Sequence, residues 1–357
     1  MTDSETCQRA PIGMAGRRAG QQPTARRTRM KRRRLGAHGP SVAAIGLGCM
    51  GMSGTYGPAD DAESVRTVHA ALDAGITLLD TGDFYGMGHN ELLLRDALRG
   101  GRRDTATLSV KFGAQRGPDG AWLGFDGRPA AVKASLAYSL RRLGTDHVDI
   151  YRPARLDPAV PIEDTIGAIA ELVDAGYVRH IGLSEVGPAT LRRAAAVHPI
   201  ADLQIEYSLL FRGIEEQILP TCRELGIGIT AYGVLSRGLL SGRWRADQAL
   251  PANDMRAHTS RFQGDNLAHN LALVEALRAI AARLDRTVPQ LATAWVAARG
   301  DDVVPLVGAR RVDRIAEAAG AAELDLDDET LAAIDAAVPA DAAAGDRYPD
   351  GRTPELI

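Results

Sequence analysis

The sequence predicts an α/β fold: a (β/α)8 barrel of the TIM type, with eight parallel strands, surrounding helices, and a long insertion between strands seven and eight. Three observations predict it. From about residue 41, short apolar runs alternate with amphipathic helical patterns, which means a parallel sheet covered by helices. Glycines mark the passage from helix to strand: Gly75 before Ile76–Leu79, Gly176 before Tyr177–Ile181, Gly226 before Ile227–Ala231. A left-handed residue is needed at that point of a helix end. Finally, eight such units fit within about 290 residues, which suits one closed barrel rather than two domains.

The strand-like runs fall at about 42–47, 76–80, 106–111, 147–151, 178–183, 202–206, 227–232 and 303–307. Helical spacing joins Val132, Leu136, Leu140 and Leu143 in one intervening segment, and Ile162, Ile166, Ile169 and Val173 in another. Pro161 suits the first turn of the latter. The stretch from roughly 233 to 270, with Gly238, Gly242 and Pro251, reads as a long functional loop. The chain thus divides into a basic extension (1–30), a barrel (31–340) and an Ala-, Asp- and Pro-rich tail (341–357) that either covers the barrel mouth or is mobile.

Composition narrows the function. No run of 18 apolar residues occurs in the 357, so no membrane span or membrane partner is expected. Cys7, Cys49 and Cys222 are few and far apart. They give neither a disulfide framework nor a metal-ligand spacing, and they suit a reducing, cytoplasmic setting. Residues 1–34 hold ten basic side chains against Asp3 and Glu5, so the rest of the chain is acidic. An acidic body argues against a nucleic-acid partner. The Gly, Pro, Gln and Arg content of the arm predicts disorder; the alternative is a translation start at Met30. Oligomeric state is not legible.

Gly46-Leu47-Gly48-Cys49-Met50-Gly51 matches the dinucleotide fingerprint G-x-G-x-x-G. The following Met52–Pro58 cannot open a helix where that motif requires one. The glycines either turn the chain or bring its backbone close to a ligand. Chemistry in a barrel belongs at the C-terminal ends of the strands. Asp80 follows strand two, Lys111 ends strand three, Ser184 and Glu185 follow strand five, Gln204 lies in strand six and Tyr232 ends strand seven. Tyr85 lies five residues past Asp80. A phenol of ordinary pKa about 10 is a poor proton donor at neutrality. A neighbouring ammonium is expected to favour the phenolate and lower that value. Tyr85 could then protonate a carbonyl oxygen while hydride arrives at carbon. The plainer alternative is a buried Asp–Lys pair beside a structural tyrosine. For Tyr56, Trp122, Phe125 and Phe262, beyond strand tops, an apolar pocket and simple loop packing both stand.

Leu79-Asp80-Thr81-Gly82-Asp83-Phe84-Tyr85-Gly86 with Asn90-Glu91 resembles the aldo-keto reductase signature. So do Pro161–Ile166, Val178–Ser184 and Gly308-Ala309-Arg310-Arg311. The resemblance covers about residues 32–337. It implies a barrel that binds NADPH without a Rossmann unit and reduces a small carbonyl substrate. It implies Asp80, Tyr85 and Lys111 as three of four catalytic residues, with Tyr85 the proton donor. It places Ser184 and Gln204 at the nicotinamide carboxamide and Tyr232 under the nicotinamide ring. Leu235, Ser236, Gly238 and Leu240 fall on the loop over the pyrophosphate, with Gly51, Met52 and Gly308 also beside the cofactor. Arg310 and Arg314 fall at the adenosine 2′-phosphate, which favours NADPH because guanidinium forks suit phosphate. Glu317 falls at the adenine. Glu185 stands where the family often has Asn.

One departure concerns the chemistry. Ala154 stands where the family's fourth catalytic residue, a histidine, is expected. Three readings follow. The pocket is enlarged for a bulky substrate; or Arg152 or Arg155 supplies a donor, which favours anionic or oxygen-rich substrates; or the protein mainly binds NADPH as a regulatory subunit with little turnover. The two arginines could equally form surface ion pairs. Reduction of a conjugated C=C bond and oxidation of a sugar-like alcohol are the alternative reactions. Tyr56, Trp122, Ala154 and Arg155 are the expected substrate pocket, and no metal is expected.

Overall fold

The computed structural model describes residues 30–349 except 249, 252 and 253. The expected basic extension and the last residues of the tail lie outside the described residues. The chain opens with an antiparallel hairpin, β1 (Arg32–Arg34) and β2 (Ser41–Ala43). The ring begins with β3 (Gly46–Gly48). It continues through α1 (Asp61–Asp73), β4 (Leu78–Gly82), α2 (His89–Ala97) and β5 (Thr107–Phe112). A second hairpin, β6 (Ala114–Arg116) and β7 (Trp122–Phe125), interrupts it before α3 (Pro129–Leu143). Next come β8 (Val148–Pro153), α4 (Ile162–Asp174), β9 (Val178–Ser184), α5 (Pro188–Val197), β10 (Ile200–Glu206), α6 (Ile218–Glu224) and β11 (Gly228–Tyr232). Two helices, α7 (Gly264–Arg283) and α8 (Val288–Ala297), precede β12 (Val303–Gly308); α9 (Val312–Ala321) and α10 (Asp328–Ala337) follow.

Strands β3, β4, β5, β8, β9, β10, β11 and β12 close a barrel. Every neighbouring pair is parallel, and Leu306 of β12 pairs with Gly46 of β3 to complete the ring. The first predicted strand, 42–47, is corrected: it is two strands, one in the hairpin and one in the ring. Both pieces are apolar because the hairpin covers the bottom of the barrel. Leu35 and Val42 pack there with Leu78, Ile150, Val304 and Leu306. The expected loop 233–270 ends earlier than predicted, since α7 starts at Gly264. The main core lies between the ring and its helices.

Candidate active site

Side chains two apart on a strand share a face. Asp80, Lys111, Arg152, Ser184, Asp202, Gln204 and Thr230 are brought together in this way. Asp80 accepts from Lys111 Nζ at 2.5 Å, from Gln204 Nε2 at 2.6 Å and from Ser109 Oγ at 3.0 Å. Strands β4 and β10 are not neighbours in the ring, so the Gln204 contact crosses the barrel interior. Asp80 and Lys111 are both buried. Burial lowers the Lys111 pKa, against the pull of Asp80, and the charges of Arg152 and Arg155 lower it further.

Tyr85 joins this pair from the turn after β4. Asp83 N–H donates to Lys111 C=O at 2.9 Å and fixes where the turn leaves the strand. Backbone at Gly86, Met87 and Gly88 is left-handed, which lets the chain reverse within Tyr85–Gly88 before α2. Lys111 Nζ lies 5.1 Å from the centre of the Tyr85 ring, and Phe84 packs edge-on at 4.7 Å. Tyr85 is 8% exposed. Its pKa is raised well above 10.0, by burial first and by Asp80, while Arg155 opposes them. This corrects the expectation of a lowered value: burial and the Asp80 charge favour the neutral phenol. Asn90 supports the arrangement. It accepts from Thr81 Oγ1 and donates to Cys49 C=O and Ser53 Oγ, tying the turn after β3 to the strand that carries Asp80.

Below this layer Arg152 pairs with Asp202 at 3.0 Å and donates to Ser109 Oγ at 2.9 Å. Thr230 Oγ1 donates to Asp202. Gly182 leaves the room: a Cβ there would stand 2.7 Å from Asp202 Oδ1 and 3.1 Å from Arg152 Cζ. Neither a surface pairing nor a place among rim donors holds for Arg152, which is fully buried.

The rim is built around Ala154 and Arg155. Ala154 is 2% exposed. Arg155 Nη1 donates to Ala154 C=O at 2.7 Å and to Ser184 Oγ at 3.3 Å; Nη2 donates to the Tyr348 and Tyr232 hydroxyls at 3.2 and 3.5 Å. Tyr232 and Tyr348 hydroxyls are 2.9 Å apart. Burial opposes the Arg155 charge, but Tyr232, Tyr348 and Glu185 outweigh it and raise its pKa. Arg155 is not a surface ion pair.

Sequence reasoning missed Arg347 and Tyr348. Arg347 joins two buried carboxylates, Glu206 at 3.0 Å and Glu185 at 3.1 Å. Glu185 also accepts from Glu206 N–H at 2.8 Å. Burial would raise the Glu185 pKa, yet Arg347 and Arg155 bring it below the ordinary value. Described tail residues therefore sit on the barrel mouth. The signal available was an adjacent Arg and Tyr in a tail otherwise rich in small residues.

The expected cofactor positions divide. Ser184, Gln204 and Tyr232 lie at the mouth. Ser236, Arg237 and Gly238 form a left-handed run, with Ser236 Oγ 3.0 Å from Ser208 Oγ. Gly51 lies in the turn after β3, and Leu235 packs half-buried against the core. Met52 and Leu240 are fully buried. Gly308 ends β12 with open space where a Cβ would point. Arg310 donates to the Tyr56 and Pro58 carbonyls, both at 3.1 Å. Glu317 pairs with Arg314 at 3.5 Å and with Arg243, another residue the sequence reading missed, at 3.4 Å.

The expected pocket divides too. The Tyr56 ring lies 5.2 Å from the Arg256 guanidinium, and its pKa is raised by burial, with Arg237 and Arg256 opposing. Trp122 is 49% exposed and packs on Phe125 and Arg116 of its own hairpin rather than on Ala154 or Tyr85. Cys49 is buried, and burial raises its thiol pKa; it packs rather than attacks. Among the described residues no cluster of three or more His, Cys, Asp or Glu could hold a metal.

The closed parallel barrel gathers Asp80, Lys111 and Tyr85 near its C-terminal rim, an arrangement compatible with an oxidoreductase of carbonyl–alcohol chemistry. The chain belongs to the aldo/keto reductase family, whose model matches residues 44–339. It is 40% identical over 321 residues to a probable aldo-keto reductase of Glycine max, covering 89% of this chain and 92% of that one. Among solved structures it is similar to a glycerol dehydrogenase of Gluconobacter oxydans, at 29% identity and a TM-score of 0.79, covering 86% of this chain and 94% of that one. It is also similar to an aldo-keto reductase of Bacillus halodurans in its holo form, at 30% identity and a TM-score of 0.71, covering 87% and 97%. The family binds a nicotinamide cofactor and acts on small carbonyl compounds. Among the described residues no helix is long and apolar enough to cross a membrane.

Proposed function

We propose that the chain is an NADPH-dependent reductase of an aldehyde or ketone, with Tyr85 giving the proton to the carbonyl oxygen. The observation that carries this is the buried Tyr85 phenol, its ring beside the Lys111 ammonium of the Lys111–Asp80 pair. Asp80 holds the ammonium in place. The ammonium stabilises the phenolate that forms once the proton has left.

The residues present fit a reduced dinucleotide. Tyr232 offers an aromatic platform beside Ser184 and Gln204. The left-handed run Ser236–Gly238 and the open face of Gly308 leave room for close backbone approach. Arg310 and Arg314 offer guanidinium groups for a 2′-phosphate, with Glu317 at the adenine. The cofactor supplies the hydride. The buried thiols of Cys49 and Cys222 suit a reducing cytoplasm.

Ala154 provides no donor to the carbonyl. An unreplaced loss of this kind costs about 2.7–4 kcal/mol of transition-state stabilisation. A second reading, oxidation of a polyol or sugar-like alcohol, is favoured by the similarity to the glycerol dehydrogenase. The test is loss of NADPH absorbance across aldehydes, ketones, sugars and enones, with the alcohols run in reverse. Tyr85→Phe is expected to cut turnover about 10²–10⁴-fold while leaving NADPH binding in place. Unchanged turnover in Tyr85→Phe would remove the assigned donor. Tight NADPH binding without turnover on any substrate would favour the regulatory reading.

A further inference from the structure

Arg155 is a partly buried cation whose hydrogen bonds all go to neutral groups: one carbonyl, one serine hydroxyl and two phenols. The buried Arg152 and Arg347 differ, for each is paired with a carboxylate. A buried charge is costly unless it is paired. Arg155 forms no ion pair among the described residues; Glu185 acts on its charge without a direct contact, so the guanidinium can still take a directly bound anion. The place is specific. Arg155 follows Ala154, where a methyl fills less space than an imidazole would. Its charge acts on Tyr85, Lys111 and Tyr232 together.

We propose that Arg155 makes this site select 2-oxo acids, holding the substrate carboxylate so that the adjacent carbonyl carbon faces the cofactor and the carbonyl oxygen faces Tyr85. This deepens the reductase reading above and depends on it. A guanidinium presents a planar fork of N–H donors that matches the two oxygens of a carboxylate. The Tyr232 and Tyr348 hydroxyls each donate or accept, so they can turn from accepting Arg155 to donating to the same anion. Backbone C=O of Ala154 holds Nη1 and keeps the fork in place. In the reaction, hydride from the reduced nicotinamide forms the new C–H bond and the Tyr85 proton forms the O–H bond. The carbonyl compound is reduced to a 2-hydroxy acid and the cofactor is oxidised. Arg155 stays protonated throughout and moves no proton.

The experiment compares phenylglyoxylate with its methyl ester, which has the same ketone without the charge, using the full chain and NADPH. Arg155→Met is expected to lower kcat/KM for the acid at least about ten-fold more than for the ester, with Arg155→Lys recovering part of the difference. A binding measurement on the wild-type chain guards against a variant that misfolds. With NADP+ present, calorimetry is expected to show benzoate binding at least about ten-fold more tightly than benzamide, a difference that Arg155→Met abolishes. Equal losses for acid and ester, or benzoate no tighter than benzamide in the wild type, would overturn the proposal. If the wild-type chain turns over neither substrate, the reductase assignment fails instead, and the benzoate–benzamide comparison still decides whether Arg155 is an anion site.

Discussion

Arg152 and Asp202 meet inside the barrel at 3.0 Å, and both side chains are fully buried. Arg152 Nε and Asp202 Oδ1 have no hydrogen-bond partner. Such a pair stabilises little in itself, but breaking it leaves an isolated charge in a low-dielectric interior. Arg152→Met is expected to cost about 3–5 kcal/mol, and Arg152→Met with Asp202→Leu to recover most of it. Urea unfolding of the two singles and the double checks this; a double variant no more stable than the worse single would refute it.

Asp83 gives the protein a pH-dependent weakness. Burial, with help from Glu91, raises its carboxyl pKa from 3.8 to about 7, and its Oδ1 has no hydrogen-bond partner. Below about pH 4 both folded and unfolded chains carry the proton, and Asp83 adds no pH dependence. From about pH 4 to 7 the unfolded chain releases it while the folded chain keeps it, so stability falls as pH rises. Above that window the full cost applies, at most about 4 kcal/mol for a shift of about three units. Asp83→Asn is therefore expected to raise Tm relative to the wild type at about pH 8, with the difference vanishing toward pH 4. Thermal melts across this range measure it.

The Lys111–Asp80 pair is expected to set the alkaline limit of catalysis. Burial lowers the Lys111 pKa below 10.5 and Asp80 works against that. The wild-type kcat/KM profile is expected to fall on an alkaline limb below pH 10.5. Asp80→Asn is expected to move that limb lower still, because the ammonium loses its nearest counter-charge. A limb that stays in place in the variant would show that Lys111 does not govern it.

Arg314 tests the proposed preference for NADPH over NADH. It stands on α9 with only a 3.5 Å contact to each of Asp313 and Glu317, so its fork is weakly held and open to a stronger anion. Arg314→Ala is expected to raise KM for NADPH about ten-fold and leave KM for NADH little changed, since charge-assisted bonds to phosphate are worth about 1.5–3 kcal/mol. Equal effects on both cofactors would refute the assignment.

Most of the ring was legible because its strands are short apolar runs set off by glycines. Asp80 and Lys111 were legible because charged residues at the ends of such runs have few structural uses. The first strand misled because hairpin and ring pieces are both buried, so 42–47 reads as one run. The β6–β7 hairpin left no alternation to read, with Trp122 and Leu123 adjacent and exposed. Asp202 gave one sign, as the first of three polar side chains spaced two apart in an otherwise apolar strand, Asp202, Gln204 and Glu206. That spacing shows a shared face but not that Arg152 fills it. Arg347 was hidden for another reason: its partners lie 162 and 141 residues away, and contacts so distant leave no local periodicity.

The clasp made by Arg347 also bears on how the protein comes into being. Glu185 and Glu206 are buried at the ends of β9 and β10, yet the cation that bridges the two is synthesised long after them. A growing chain can close its ring once β12 is made, with Arg237 already beside Glu206, but Glu185 lacks its direct ion-pair partner until the ribosome has passed residue 347. Maturation of the mouth is thus a late event of biosynthesis, and a polypeptide cut just after α10 would leave Glu185 with no direct ion pair at the mouth.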